Sequence, residues 1–344
     1  IQAPHECLPW PFAPHTDEPD VITAAMAEGS AGKHPLAAVS GIWQDAVKDV
    51  KEGELKDGVL VPSEELKKVA KWLEKSVERF GGSASVSDGP SDKALVNFAE
   101  EVLKAFTAAV QTLVCLSRGA GASLLVEVRD VGSGLAVGIQ ELGASVGTPS
   151  LGISAGKVLD RIKHFERMST HNRAAIRRRL LKSLSQVNDA QRELNQALQG
   201  GGGGGDLDDD DDFGGLETEF EPGERQLVEA LASAIEVLLD VLKEASRLCV
   251  PRSTSPTNAG ALAAEAEVPA EVLEASALHA DNVAKAVDGL AAHSIGGLDA
   301  EAFKASLSEL RTAASGFDGW PAPSDQLTAA LDHVQAALEA VPTD

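Results

Sequence analysis

Tyrosine is absent from this chain, and all aromatic residues together make up only 4% of its 344 positions. Sandwiches and barrels draw heavily on aromatic and β-branched residues, so this scarcity argues against an all-β fold. The 43% hydrophobic content rests mainly on Ala, Leu and Val, a mixture that suits closely packed helices. Cysteine is nearly missing too. Cys7, Cys115 and Cys249 are scattered, without a disulfide framework or metal-ligand spacing, which points to a reducing compartment. Basic residues are outnumbered, 30 against 53 acidic ones, leaving a formal charge of −23. That imbalance disfavours a nucleic-acid backbone or an anionic membrane surface as partner and favours basic partners. No apolar run reaches the roughly 18 to 20 residues that cross a bilayer. A soluble intracellular protein without a membrane partner is expected, with no direct nucleic acid contact.

What the chain does have is helical periodicity on both sides of Gly200–Gly205 and the following Asp206-Leu-Asp-Asp-Asp-Asp-Asp212-Phe-Gly-Gly215. Six glycines are costly to order and clustered aspartates repel one another, so this stretch reads as a solvated hinge. The expected fold is all-α: two antiparallel helical bundles, 34–199 and 216–342, joined by a flexible Gly/Asp-rich linker at 200–215. Residues 1–33 read as disordered, with Pro4, Pro9, Pro11, Pro14 and Pro19 and no hydrophobic period. Met26 resembles a natural start, so residues 1–25 are expected to be translated upstream sequence. That stretch lacks the basic start and apolar core of a secretory signal.

Successive helices follow from spacing. Leu36, Val39, Ile42, Trp43 and Val47 share one face. Pro62-Ser63-Glu64-Glu65 opens a second helix, lined by Leu66, Val69, Leu73, Val77 and Phe80, which Gly81-Gly82 is expected to stop. Ser91-Asp92 opens a third, with Leu95, Phe98, Val102, Phe106, Val110 and Leu113 inward. A further helix spans Leu151 to Met168. Thr170 is expected to cap another running from His171 to about Leu198. Glu224 to Cys249 carries a wide apolar stripe ended by Pro251. A loop from Pro251 to Gly260 precedes three last helices, at about 269–293, 299–314 and 324–341.

Several patterns invite chemistry. Ser123 to Val131 reads as a strand or as a helix. In the strand reading, Gly132-Ser-Gly134-Leu-Ala-Val-Gly138 resembles a dinucleotide-binding turn and makes the chain a nucleotide-binding enzyme. In the helical reading, Leu124, Val128, Val131, Leu135, Ile139 and Leu142 form one face. The absence of a following β-branched run favours the helix. Asp206, Asp208, Asp210, Asp212 and Glu217 match calcium-loop positions, but Asp211 stands where the sharp turn needs glycine. Gly152-Ile-Ser-Ala-Gly156-Lys157 misses a phosphate-binding loop by one residue and by the absent Ser/Thr. His164, His171, His279, His293 and His333 show no ligand spacing and read as surface or capping residues. No cofactor, metal or catalytic residue is expected.

One region departs from the acidic background. Lys157 to Lys182 holds nine basic residues against Asp160 and Glu166. Arg161, Lys163, Arg167, Arg173, Arg177, Arg178 and Arg179 are the candidates for docking a partner, set against the plainer reading of a wet helix side. The docked group is an acidic protein or the chain's own Asp208–Asp212, which a linker of about 25 residues brings within reach at roughly 25 to 30 Å. No aromatics interleave these charges, which argues against nucleic acid.

The order of segments is familiar. Lys157-Val158-Leu159-Asp160 opens a helix, then comes His171-Asn172-Arg173-Ala174-Ala175. Val187-Asn-Asp189-Ala190-Gln-Arg-Glu193-Leu194 follows, next an acidic stretch with Phe213-Gly214, then Glu224-Arg-Gln226-Leu227. This resembles the cyclin-D-binding protein family, also called GCIP or Maid-like. The resemblance implies an all-helical, non-enzymatic regulator of cell-cycle progression or transcription, cytoplasmic and nuclear, with D-type cyclins and helix-loop-helix factors as partners. Its zipper-like heptad falls on Leu180, Val187 and Leu194, with Ile176, Ser183, Ala190 and Ala197 at the second seam position. That seam is too small and polar for a free coiled coil, so it is expected to lie buried in the chain's own bundle. Arg178-Arg179-Leu180 also fits a short cyclin-docking pattern, which requires that turn to be exposed. A cytoskeletal-type adaptor is the remaining alternative.

Overall fold

The computed structural model describes residues 35–51, 54–56, 58–86, 93–199, 220–250, 268–295, 298–317 and 324–341. Among these the regular structure is entirely helical, as the scarcity of aromatics and the three- and four-residue spacing require. The α-helices are α1 (Val39–Val47, entered by the 3-10 turn Pro35–Ala38), α2 (Ser63–Val86), α3 (Lys93–Ser117), α4 (Ala122–Ala144) and α5 (Leu151–Glu166). They continue as α6 (Asn172–Leu198), α7 (Pro222–Leu248), α8 (Ala270–Ile295), α9 (Ala300–Ala314) and α10 (Ser324–Glu339). The hinge at 200–215, the calcium-like count at Asp206–Glu217, the Ser91-Asp92 opener, the 251–260 loop and residues 1–33 lie outside the described residues.

The chain forms two compact units. One comprises Ile1–Asp49, Glu64–Leu113 and Asp130–Arg167; the other comprises Val50–Ser63, Val114–Arg129 and Met168–Asp344. In the first, Trp43, Leu66, Leu73, Phe80, Phe106, Ile139 and Phe165 are buried. Here α2 runs through Gly81-Gly82, which were expected to stop it. Glycine lowers helix stability by only about 1 kcal/mol, and flanking core residues outweigh that. The stretch Gly132–Gly138 is likewise helical and forms no nucleotide-binding turn. A Cβ on Gly132 would lie 2.1 Å from the ring of Trp43, and one on Gly138 would lie 2.6 Å from the Arg161 guanidinium. Those glycines leave room for large side chains rather than for a phosphate. Gly152–Lys157 also lies within a helix, α5.

In the second unit, α6 and α7 lie side by side, as do α6 and α8, α8 and α9, and α7 and α10. Their shared core contains Ile176, Leu180, Val187, Leu194, Leu231, Leu238, Val283, Leu290, Phe303 and Val334. The apolar stripe of α6 therefore packs with 222–339, and the sequence-based boundary near 199 does not coincide with the edge of this unit. The helix ends are secured locally. Glu224 Oε2 accepts a hydrogen bond from the Glu221 amide at 3.0 Å, with Pro222 opening α7. Asp299 Oδ1 accepts from the Ala302 amide at 3.1 Å to cap α9.

Candidate protein-interaction surface

The first turn of α6 is tied to other segments of the second unit by side-chain hydrogen bonds. Its cap is His171, one residue later than the expected Thr170, with Nδ1 accepting a hydrogen bond from the Ala174 amide at 3.2 Å. Partial burial holds this imidazole below its ordinary pKa, with the nearby Arg173 charge acting in the same direction. Asn172, almost fully buried, donates from Nδ2 to the carbonyls of Lys56 and Gly119 and accepts the Gly121 amide, each at 2.8 Å. A buried amide satisfied in this way joins three chain segments at one point.

One turn further, an ionic junction forms between α6, α8 and the first turn of α4. Arg179 Nε donates to Asp281 Oδ2 at 2.7 Å, and Ser183 Oγ donates to Asp281 Oδ1 at 2.8 Å. The Arg179 Nη1 atom lies 3.7 Å from Glu274 Oε1. That same carboxylate oxygen accepts the Ser123 amide at 2.6 Å and the Ser123 hydroxyl. Glu274 thereby caps α4 from a different helix, placing negative charge at the positive end of the helix dipole. Glu127 adds a second link, accepting the Ser169 amide at 2.8 Å and pairing with Arg178.

The seven candidate docking residues divide between the two units. On the first, Arg161 donates to the Gly134 carbonyl at 2.7 Å and lies against Gly138, so it serves packing. Lys163 is exposed and pairs with Asp160 at 3.2 Å, and Arg167 is exposed at the end of α5. On the second, Arg173 is 8% exposed and donates to the Val268 carbonyl at 2.8 Å. Arg179 is committed to Asp281. Arg177 and Arg178 remain exposed, and Lys182 and Leu181 share that side of α6, with Leu181 42% exposed. The sequence charge run therefore separates into structural cations and a solvent-facing turn, Arg177, Arg178, Leu181 and Lys182. Periodicity alone missed Ser123, Glu127, Glu274 and Asp281, which supply the counter-charges from distant positions. No local spacing pairs them with α6.

The zipper-like seam takes no part in that surface. Leu180, Val187 and Leu194 are each 0% exposed, and Ile176, Ser183 and Ala190 are also buried. Leu180 is therefore unavailable to the Arg178-Arg179-Leu180 docking pattern while α6 remains packed.

Among the described residues there is no group of three or more His, Cys, Asp or Glu side chains arranged to hold a metal. No described helix is long and apolar enough to cross a membrane. Residues 65–200, from the start of α2 to the end of α6, match the family model described as Grap2 and cyclin-D-interacting, N-terminal. This segment is similar to the N-terminal domain of that family. The match bears out the family resemblance over these residues. No curated protein gave a significant match to the chain. The matched domain ends with α6, whose apolar side packs against α7 and α8 beyond the matched segment.

Proposed function

We propose that the protein is a non-enzymatic interaction regulator that binds D-type cyclins and restrains cell-cycle entry or transcription, in the cytoplasm and nucleus. The observation that carries this reading is the cyclin-D-interacting domain match over residues 65–200. Within that segment, the exposed turn of Arg177, Arg178, Leu181 and Lys182 offers positive charge around an accessible leucine, suited to an acidic and apolar protein surface. Helix-loop-helix factors are partners through exposed faces rather than the zipper seam, because that seam is filled by α7 and α8.

The test is binding of the purified full chain to a D-type cyclin by interferometry, comparing wild type with R177E/K182E. The reading expects specific binding that the double reversal weakens about tenfold or more, with an unchanged thermal midpoint. Absence of binding by the wild type would remove the cyclin assignment. Equal binding by the folded double variant would move the docking surface elsewhere. Imaging the tagged full chain tests the compartments; retention inside a secretory organelle would contradict them.

A further inference from the structure

We propose that the outer face of α2, centred on Trp72, is a second docking surface, fitted to an acidic amphipathic helix of another protein. It belongs to the first unit and does not depend on the basic turn of α6. The period that turns Leu66, Val69, Leu73, Val77 and Phe80 inward leaves Lys68, Lys71, Trp72, Lys75 and Arg79 exposed to solvent. These residues lie three and four apart, so they are neighbours along one side of the helix. Trp72 is 40% exposed and is the bulkiest exposed hydrophobic side chain among the described residues. Trp43 shows the contrasting arrangement: it is 6% exposed, fits against Gly132 and donates its indole N–H to Ser133 Oγ at 3.0 Å. Trp72 has no such seat, and its indole N–H donates to no described residue.

The charge around Trp72 decides the partner. Lys68 pairs with Glu65 at 2.6 Å, and Arg79 with Glu101 at 3.3 Å. Lys71 and Lys75 form no ion pair with Glu74, Glu78 or any other described residue. Two uncompensated cations beside an aromatic ring suit two carboxylates and an apolar side chain. A phosphate backbone is held through many more contacts, about six to ten. A chain of net charge −23 also repels both that backbone and an anionic bilayer. From Lys68 to Arg79 the strip is about 16 Å long, three helical turns. A helix laid along it repeats at the same intervals, so its carboxylates meet Lys71 and Lys75 while an apolar neighbour covers the Trp72 ring. Tryptophan and basic side chains desolvated together in this way concentrate binding energy at the centre of an interface.

The probe is a fluorescently labelled synthetic helix of about 18 residues, or five turns, with Leu along one side and Glu flanking it. It is titrated by anisotropy with the purified full chain carrying R177E/K182E, so that the turn of α6 cannot supply the binding. The patterned helix should bind this chain. A peptide of the same composition with its leucines dispersed should bind at least about tenfold more weakly. Adding Trp72→Ala should weaken the patterned helix about thirtyfold, and adding K71E/K75E about tenfold. All three side chains are exposed, so the thermal midpoint should not move. No binding of the patterned helix, equal binding of the dispersed peptide, or equal binding by either folded α2 variant overturns the proposal. Tighter binding of phosphatidylserine vesicles or of oligothymidylate, lost in the same α2 variants, would give the face to a different ligand and overturn it as well. Cyclin does not enter these titrations, so the cyclin reading stands or falls separately.

Discussion

Two helices, α4 and α6, each display a pattern that on paper belongs to a ligand, and they use it differently. The outer glycines of the Gly132–Gly138 pattern of α4 are taken up by packing: Trp43 fills the space at Gly132 and Arg161 the space at Gly138. In α6, the heptad is consumed by α7 and α8, yet Arg177, Arg178, Leu181 and Lys182 remain on the solvent side. A motif's residues become available for function only where the rest of the chain leaves them uncovered. Neither helix reveals this locally, because the covering residues come from elsewhere.

The largest expected effect tests the consumed side of α6. Replacing Leu180, fully buried in the second unit, by alanine should cost about 3 kcal/mol, measured by chemical denaturation. Cys249 offers an independent readout because it is buried in the same core, and burial pushes its thiol pKa up to about 11. Thiol labelling there should be slow in wild type and many-fold faster in Leu180→Ala. A small stability loss with unchanged labelling would mean that the heptad face is not committed to α7 and α8.

The equivalent test on α4 comes next. Gly132→Ala places a methyl against Trp43 and should destabilise by about 1 to 3 kcal/mol, with part of the loss recovered when Trp43→Leu is added. Gly134→Ala, where the new carbon meets nothing within 4 Å, should instead stabilise by up to about 1 kcal/mol. Opposite signs at two glycines two residues apart would establish which one the packing requires. The same sign at both would break the account of α4.

Much of this architecture was legible in the sequence because burial and helical spacing express the same physics. Leu66, Leu73, Val77 and Phe80 fall inward as their period requires, and α7 begins at Pro222 and ends at Leu248 beside the stretch read from its stripe. What could not be read was which helices share a core. A stripe such as Leu180, Val187 and Leu194 records that something covers it and carries no information about what. The docking candidates fared similarly: charge density singled out Arg173 and Arg179, but Val268 and Asp281, which occupy them, lie far along the chain. Glycine punctuation misled at Gly81-Gly82 because a modest local penalty was weighed without the burial on either side.

The ionic edge of α6 should respond less than its apolar face. Asp281→Asn removes the charged partner of Arg179 and weakens the Ser183 link, while leaving a side chain of the same shape. Both charged groups are about a quarter exposed, so water offsets part of the loss, and about 1 to 2 kcal/mol is expected by denaturation. Repeating the change in an Arg179→Ala background should cost distinctly less, the signature of a direct pair. Additive losses would assign the edge no coupling role.

The smallest effect lies at the cap where α6 begins. His171 has a lowered pKa in the folded protein, so the unfolded chain binds the proton more readily. Its contribution is present above the ordinary imidazole value of about 6.5 and is lost as pH falls through the lowered folded value. Protonation also places a hydrogen on Nδ1, which can then no longer accept the Ala174 amide. His171→Asn keeps an acceptor at the cap without an imidazole to titrate, so its stability should vary less between pH 7 and pH 5 than that of wild type. His171→Ala should lose about 1 kcal/mol at pH 7 and show the same flatter profile. If wild type and His171→Asn respond identically to acid, the titration belongs to other groups, and the cap holds α6 without sensing pH.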